Sequence, residues 1–345
     1  MPSLSLIANL QGGWDTFIPG FRTPILTGLI ALVVSLLVTP MVRRFAIAKG
    51  AVDDPTRDDR RVHTEPTPRW GGIAIFIAFV VAVCSVLPFA YPEAPFPPYL
   101  IGILLGSIVM VVYGALDDLH QYSAKIQLGV LLLVGVGVQF FSSSVGKVQI
   151  AGIGLPWLDD GWLGFGLFAI PITAVYIFVV TKTMDTIDGI DGLSCGISTI
   201  AATTLGVIAT LEGQPRVALL AMAIAGASLG FLRYNYNPAK IFMGTGGAQT
   251  LGFLLASLSI VGAFKTAATL AVLIPLLVFG IPLFDAAFVV IRRLLSRTPL
   301  TQPDKRHLHH TLLGTGLNQR QTVWILYLIA MALSGLLLFL VRLSG

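Results

Sequence analysis

The chain has 345 residues, of which 55% are hydrophobic and only 11% charged, with a mean hydropathy of +0.84. A soluble domain usually carries about 25% charged residues, so a water-soluble globular protein is excluded and lipid is the solvent for most of the chain. The formal charge of +5 reads mainly as a membrane-topology signal, with attraction to anionic headgroups second, and no nucleic-acid partner is expected.

Crossing about 30 Å of hydrocarbon takes roughly 20 apolar residues. Ten segments qualify in chain order: 24–42, 71–87, 99–116, 126–141, 163–180, 193–211, 217–231, 250–264, 267–291 and 323–341. The seventh is the weakest. No alternating barrel pattern is present, so the expected fold is all-α, a polytopic bundle of about ten transmembrane helices forming one domain over 1–345. No cleaved signal peptide is expected; the first span serves as its own targeting signal. Cys84 and Cys195 read as small buried hydrophobes, with no disulfide or metal framework.

Of the 22 Lys and Arg, 17 follow odd-numbered spans. Basic residues are retained on the cytoplasmic side, so that face is expected to be cytoplasmic, with both termini outside. Twelve of the 17 Asp and Glu lie on or beside the same loops. Topology does not require this, because acidic residues contribute little to orientation; a site explains it better. The polar loops fall near 43–70, 117–125, 182–192, 233–249 and 292–320.

The first loop carries Arg57, Arg60, Arg61 and His63, then Pro-Thr-Pro-Arg-Trp-Gly-Gly at 66–72. It is either a topology signal or a hold for a lipid phosphate. Asp117-Asp118 ends the third span, with Lys125 and Gln127 beyond it. Adjacent carboxylates repel, and a divalent ion bound to phosphate oxygens would relieve the cost; a solvated helix end is the plainer reading. Next come Asp185, Asp188 and Asp191, spaced by three, with Gly189 and Gly192 between and beside them and Lys182 nearby. At helical spacing they would share one face and suit cation or phosphate work. The stretch from Asn235 to Gly247 is glycine-rich. It would either present backbone N–H groups to phosphate or allow close helix packing. Last, Asp304, Arg306, His307, His309 and His310 cluster before the final span. A zinc site is one reading, although no cysteine partner or HExxH spacing supports it; cations contacting a pyrophosphate are the other.

Taken in order, these motifs resemble the polyprenyl-phosphate N-acetylhexosamine-1-phosphate transferases, over roughly 53–313. The family includes the initiating enzymes of O-antigen, enterobacterial common antigen and teichoic acid synthesis. The His-Leu-His-His run is similar to the GlcNAc-1-phosphate branch. The resemblance implies a ten-helix fold and a Mg²⁺-dependent reaction (Mn²⁺ possible) at the cytoplasmic face of a bacterial plasma membrane. In it, undecaprenyl phosphate attacks the β-phosphate of a UDP-N-acetylhexosamine and UMP is released. It also implies a possible homodimer.

By position, Asp117 would accept the proton or orient the attacking phosphate. Asp118 would help position metal and phosphate, Asp188 would be a metal ligand, and Asp191 would contact metal or nucleotide. His309 and His310 would act on phosphates. Lys125, Lys182, Asn235, Arg306, His307, Arg61 and His63 would bind substrate. Three positions depart from the family. Thr245 stands where an Asp usually binds Mg²⁺, and Lys182 and Asp185 stand where Asn is common. We expect Asp185 to supply the charge missing at 245, as a fourth metal residue beside Asp117, Asp118 and Asp188, and Lys182 to add a phosphate contact. A transporter is the main rival class, with Asp285 its nearest mid-depth carboxylate.

Overall fold

The computed structural model describes residues 20–53, 66–154, 161–262, 279–296 and 308–344. In lipid every backbone N–H and C=O needs an internal partner, and a helix supplies one residue by residue. Apolar runs of this length therefore become helices. In chain order they are α1 (Arg22–Ala48), α2 (Gly71–Ala90), α3 (Pro98–His120), α4 (Ala124–Gly137, prolonged by a tight turn Val138–Phe140), α5 (Ala169–Ile187) and α6 (Leu193–Leu211). Then follow α7 (Pro215–Asn235), α8 (Gly244–Gly262), α9 (Gly280–Ser296), the short α10 (Leu308–Gly314) and α11 (Gln319–Ser344). Eight of these are long and apolar enough to cross a bilayer, and 124–140 and 280–289 are shorter apolar helices. The chain is a multi-pass helical membrane protein. The first half of the expected ninth span lies outside the described residues.

Two small antiparallel pairs sit at opposite ends of the bundle: β1 (Val52–Asp53) with β2 (Thr67–Pro68), and β3 (Gly152–Gly154) with β4 (Trp162–Gly164).

The packing is the reverse of a soluble bundle. In α1 the large residues Leu26, Leu29, Val33, Leu37 and Met41 are exposed, while Thr27, Ala31, Ser35 and Thr39 are buried. Lipid tails are as apolar as leucine, so small residues that let backbones approach hold the helices together. Across from α1, α7 offers Gly226 and Gly230. A Cβ on Gly226 would lie 1.9 Å from the Gly28 carbonyl oxygen, and Ser35 Oγ donates to the Ala227 carbonyl at 2.8 Å. The expected weakest span, the seventh, is thus a packed helix with 72% of its span buried, and its mean hydropathy of 1.7 is above the 1.2 of α8. The centre of the bundle is α8, with 89% of its span buried against 33% for α1 and for α11. Cys195 is buried, but Cys84 is exposed on α2, because that position lies on the outward face; the expectation for Cys84 is corrected.

Up-and-down connectivity brings the ends of α1, α3, α5 and α7 to the same end of the bundle as the starts of α2, α4, α6, α8 and α11. The polar loops therefore meet at one end.

Candidate active site

The site is assembled by backbone pairing between distant loops. Phe242 N–H donates to the Pro68 carbonyl at 2.8 Å, and Gly71 and Gly72 donate to the Phe242 and Met243 carbonyls at 3.0 and 2.9 Å. Trp70 takes a left-handed conformation at φ 75°, and its Nε1 donates to the Ala115 carbonyl at 3.0 Å. Residues 66–72 are thereby fixed against α3 and the start of α8, which carries Arg69 to the carboxylates.

Asp118 is almost wholly removed from solvent. Its Oδ1 accepts the Thr245 N–H at 3.0 Å, and Arg69 Nη1 stands 3.5 Å away while Arg69 Nη2 holds Asp53 at 2.6 Å. The N-terminus of α8 adds its partial positive charge. The other oxygen, Oδ2, is buried without a hydrogen-bond partner among the described residues. It faces Gly244, which sits at φ +74°; a Cβ there would be 2.3 Å from it. Glycine is needed at 244 both for its conformation and for this close approach.

Asp117 points elsewhere. It is 5% exposed and accepts the Tyr122 N–H at 3.0 Å and the Gln127 amide at 3.3 Å to each oxygen. Gln127 in turn accepts from Lys182 Nζ at 2.8 Å, and Lys182 donates to Asp185 Oδ2 at 2.6 Å. One polar chain thus joins α3, α4 and α5. The expected division of labour at 182 and 185 changes: the two unusual residues neutralise each other, so Asp185 is already paired.

The three-residue spacing does not give one helical face, because α5 ends at Ile187. Asp188 lies just past it at φ −76°, ψ 40°, and Gly192 at φ 80° opens α6. A left-handed residue cannot continue the helix, so 188–192 forms a turn. Asp188 has no side-chain hydrogen bond among the described residues. Desolvation, with Asp185 and then Asp118 beside it, pushes its carboxyl up to about 8, against the pull of Arg69. An acid raised this far by burial and like charge favours a proton or a cation.

Asp191 and Asn235 hold loops. Asp191 Oδ2 accepts from Asn237 Nδ2 at 2.9 Å and from Ala239 N–H at 3.0 Å. The Asn235 amide accepts the Gly192 N–H at 3.2 Å and donates to the Ile241 carbonyl at 3.1 Å. Both ends of Asn235 are bound to backbone, so its side chain positions the 188–192 turn. Gly246 and Gly247, in the first turn of α8, are likewise for packing. A Cβ on Gly72 would lie 2.3 Å from Gly247 Cα, and one on Gly114 would lie 2.1 Å from Gly246 Cα. Of that cluster only the Thr245 N–H is directed at a carboxylate.

Lys125 is exposed in the first turn of α4. Asp285 is 4% exposed, and its Oδ1 accepts the Leu308 N–H at 2.6 Å. That bond ties the start of α10, which carries His309 and His310, to α9. Arg61, His63, Arg306, His307 and the side chains of both helix histidines lie outside what the structure describes.

Two contributors were not legible as such. Arg69 stood inside a recognised motif, but its carboxylate partners are far away in sequence. Tyr113, one helical turn before Asp117, is 8% exposed with an unpartnered buried hydroxyl. Its ring stacks on Tyr122, 5.8 Å between centroids. The i, i+4 spacing was the available signal for Tyr113.

Comparison with known proteins shows the family. Residues 100–263 match the model of glycosyl transferase family 4. A Bacillus subtilis protein named a probable undecaprenyl-phosphate N-acetylglucosaminyl 1-phosphate transferase is 37% identical over 317 residues, covering 89% of this chain and 82% of that one. A Mycobacterium tuberculosis decaprenyl-phosphate N-acetylglucosaminephosphotransferase is 32% identical over 330 residues, 88% of this chain and 79% of its own. The Escherichia coli K12 undecaprenyl-phosphate alpha-N-acetylglucosaminyl 1-phosphate transferase is 26% identical over 299 residues, 85% and 77%. With this length of alignment and this order of carboxylates, the chain belongs to glycosyl transferase family 4.

Proposed function

We propose that this protein transfers N-acetylglucosamine 1-phosphate from UDP-N-acetylglucosamine to undecaprenyl phosphate, releasing UMP, as the first membrane step of a cell-envelope glycan. The observation that carries this reading is a set of buried carboxylates, incompletely neutralised, at one end of a membrane bundle. The relatives' names support a polyprenyl phosphate acceptor and transfer of N-acetylglucosamine 1-phosphate; the UDP-linked donor is part of the proposal.

An oxygen of the acceptor phosphate attacks the β-phosphorus of the nucleotide sugar. The bond from that phosphorus to the bridging oxygen breaks, and the oxygen leaves with its electron pair on UMP. Such transfer depends mainly on positioning and charge neutralisation. Asp117, fixed by Tyr122 and Gln127, would orient the acceptor phosphate and take its proton. Arg69 and Lys125 would draw phosphate oxygens to the site.

Magnesium is the proposed cofactor and manganese the alternative. No three His, Cys, Asp or Glu side chains among the described residues converge on a closed metal site. That fits a magnesium ion, which takes one or two carboxylates and completes its shell with substrate phosphates and water. Asp188 and the unpartnered oxygen of Asp118 would hold it, and when bound it would neutralise diphosphate charge. The excess of basic residues on these loops supports a cytoplasmic position for this end, where a UDP-sugar would be available. The rival reading as a transporter loses support at Asp285, which already accepts a backbone N–H.

The test is transfer by purified protein in detergent with undecaprenyl phosphate, sugar-labelled UDP-GlcNAc and Mg²⁺. The expected result is lipid-extractable label with equimolar UMP, abolished by chelation and by Asp188→Asn. Transfer by Thr245→Asp but not by the natural chain would keep the reaction and make this an impaired member. No transfer by either, from any UDP-N-acetylhexosamine, would overturn the proposal.

A further inference from the structure

A second site lies at the other end of the bundle. A cavity of about 520 Å³ opens among the loops after α2, after α4 and before α7, and its lining includes Tyr91, Tyr99, Ser143, Lys147, Gln214 and Arg216. That volume suits a small-molecule ligand. Tyr99 and Asp117 stand 18 residues apart on α3, so the cavity is about 27 Å from the carboxylates at 1.5 Å per residue.

Its chemistry is one-sided. Lys147 and Arg216 line it, and no carboxylate does among the described residues. Neither cation makes an ion pair among the described residues. Lys147 donates to the Gln149 side chain at 3.2 Å and Arg216 Nη2 to the Ala94 carbonyl at 2.9 Å. Both acceptors are neutral, so neither positive charge is compensated among the described residues. The guanidinium lies 4.2 Å from the centroid of the Tyr91 ring, which holds it in place, and its Nε is buried without a partner. Tyr99 is 2% exposed, and its hydroxyl makes no hydrogen bond among the described residues. The cavity also takes in Arg216 and Val217 of the first turn of α7, which opens on Pro215, a residue with no N–H of its own. First-turn N–H groups have no acceptor within a helix, and the helix dipole there favours an anion.

We propose that this cavity binds a phosphate-bearing anion, with Arg216 and Lys147 as its counter-charges and the Tyr99 hydroxyl as a donor. Its walls are the ends of α2, α3, α7 and α8, so it lies at the depth of lipid headgroups. A phospholipid phosphate and free phosphate share the required chemistry.

The test uses the full chain in phosphatidylcholine nanodiscs, alone, with added phosphatidylglycerol, or with inorganic phosphate. Thermal unfolding and bound lipid by native mass spectrometry are the readouts. The expected result is a rise of several degrees in the unfolding midpoint that Arg216→Gln and Lys147→Gln each remove. A rise with phosphatidylglycerol alone, with retained lipid, assigns the headgroup; a rise with inorganic phosphate assigns a free anion. No rise with either, or the same rise in both variants as in the natural chain, overturns the proposal. Should Arg216→Gln fail to fold, Lys147→Gln decides.

Discussion

Replacing Gly114 by alanine should disable the site without touching any polar group. The new Cβ would lie 2.1 Å from Gly246 Cα, 2.3 Å from its nitrogen and 2.9 Å from the Thr245 carbonyl carbon. All three are backbone atoms, so no rotamer change relieves the clash. Moving from 2.1 Å to the 3.4 Å of ordinary contact separates α3 from α8 by about 1.3 Å. The Thr245 N–H bond to Asp118, now 3.0 Å, then opens beyond hydrogen-bonding range. Overpacking of this kind costs about 1–3 kcal/mol in stability, and a misplacement of about 1 Å at reacting groups lowers turnover roughly 100-fold. The assay is UMP release beside a thermal unfolding curve. Gly129→Ala is the control, because a Cβ there meets nothing within 4 Å; it should leave both readouts unchanged. Turnover of Gly114→Ala close to the natural chain at unaltered stability would refute the argument that this contact sets Asp118.

Arg69→Met should leave Asp118 buried without its counter-charge. A fully buried pair broken on one side costs about 3–5 kcal/mol. Because the Arg69 side chain is 22% exposed, a smaller drop of about 1–3 kcal/mol is expected, read by denaturant unfolding; no drop would mean Asp118 is neutral already. Asp185→Asn should leave the Mg²⁺ requirement unchanged, since Lys182 occupies that carboxylate. The double variant with Lys182→Met should lose less stability than the two single losses combined, and a shifted Mg²⁺ half-saturation in Asp185→Asn would instead make Asp185 a ligand. A metal ligand must be ionised. With Asp188 raised to about 8, Mg²⁺ half-saturation should improve by up to about tenfold per pH unit from neutrality to about 8 and then level off. The sign for stability is the reverse. A carboxyl raised in the fold stabilises the metal-free protein at low pH, and that contribution is lost as pH rises from the ordinary carboxylate range through about 8. A pH-independent half-saturation would remove Asp188 from the metal.

The helical membrane fold was legible because lipid imposes a coarse requirement, long apolar runs, that needs no tertiary information. The gathering of polar loops at one end followed from span parity. What the sequence hid was long-range. Asn235 with the Gly192 N–H, Arg69 with Asp118, and Gly114 with Gly246 are pairings no local period reveals. The spacing of Asp185, Asp188 and Asp191 misled because helical spacing counts only while the helix continues, and α5 ends at Ile187 with Asp188 already outside it. The glycines at 246 and 247 offered two readings, and the clash distances to Gly114 and Gly72 decide for packing.

The most direct test of the central claim follows the β-phosphate. UDP-GlcNAc labelled at that phosphorus is incubated with the purified protein, undecaprenyl phosphate and Mg²⁺. Label recovered in the lipid phase, with unlabelled UMP released in equal amount, is the predicted result, because the bond broken lies between the two phosphates. Label retained in released UDP, with the sugar alone on the lipid, would mean cleavage at the sugar carbon and would contradict the account.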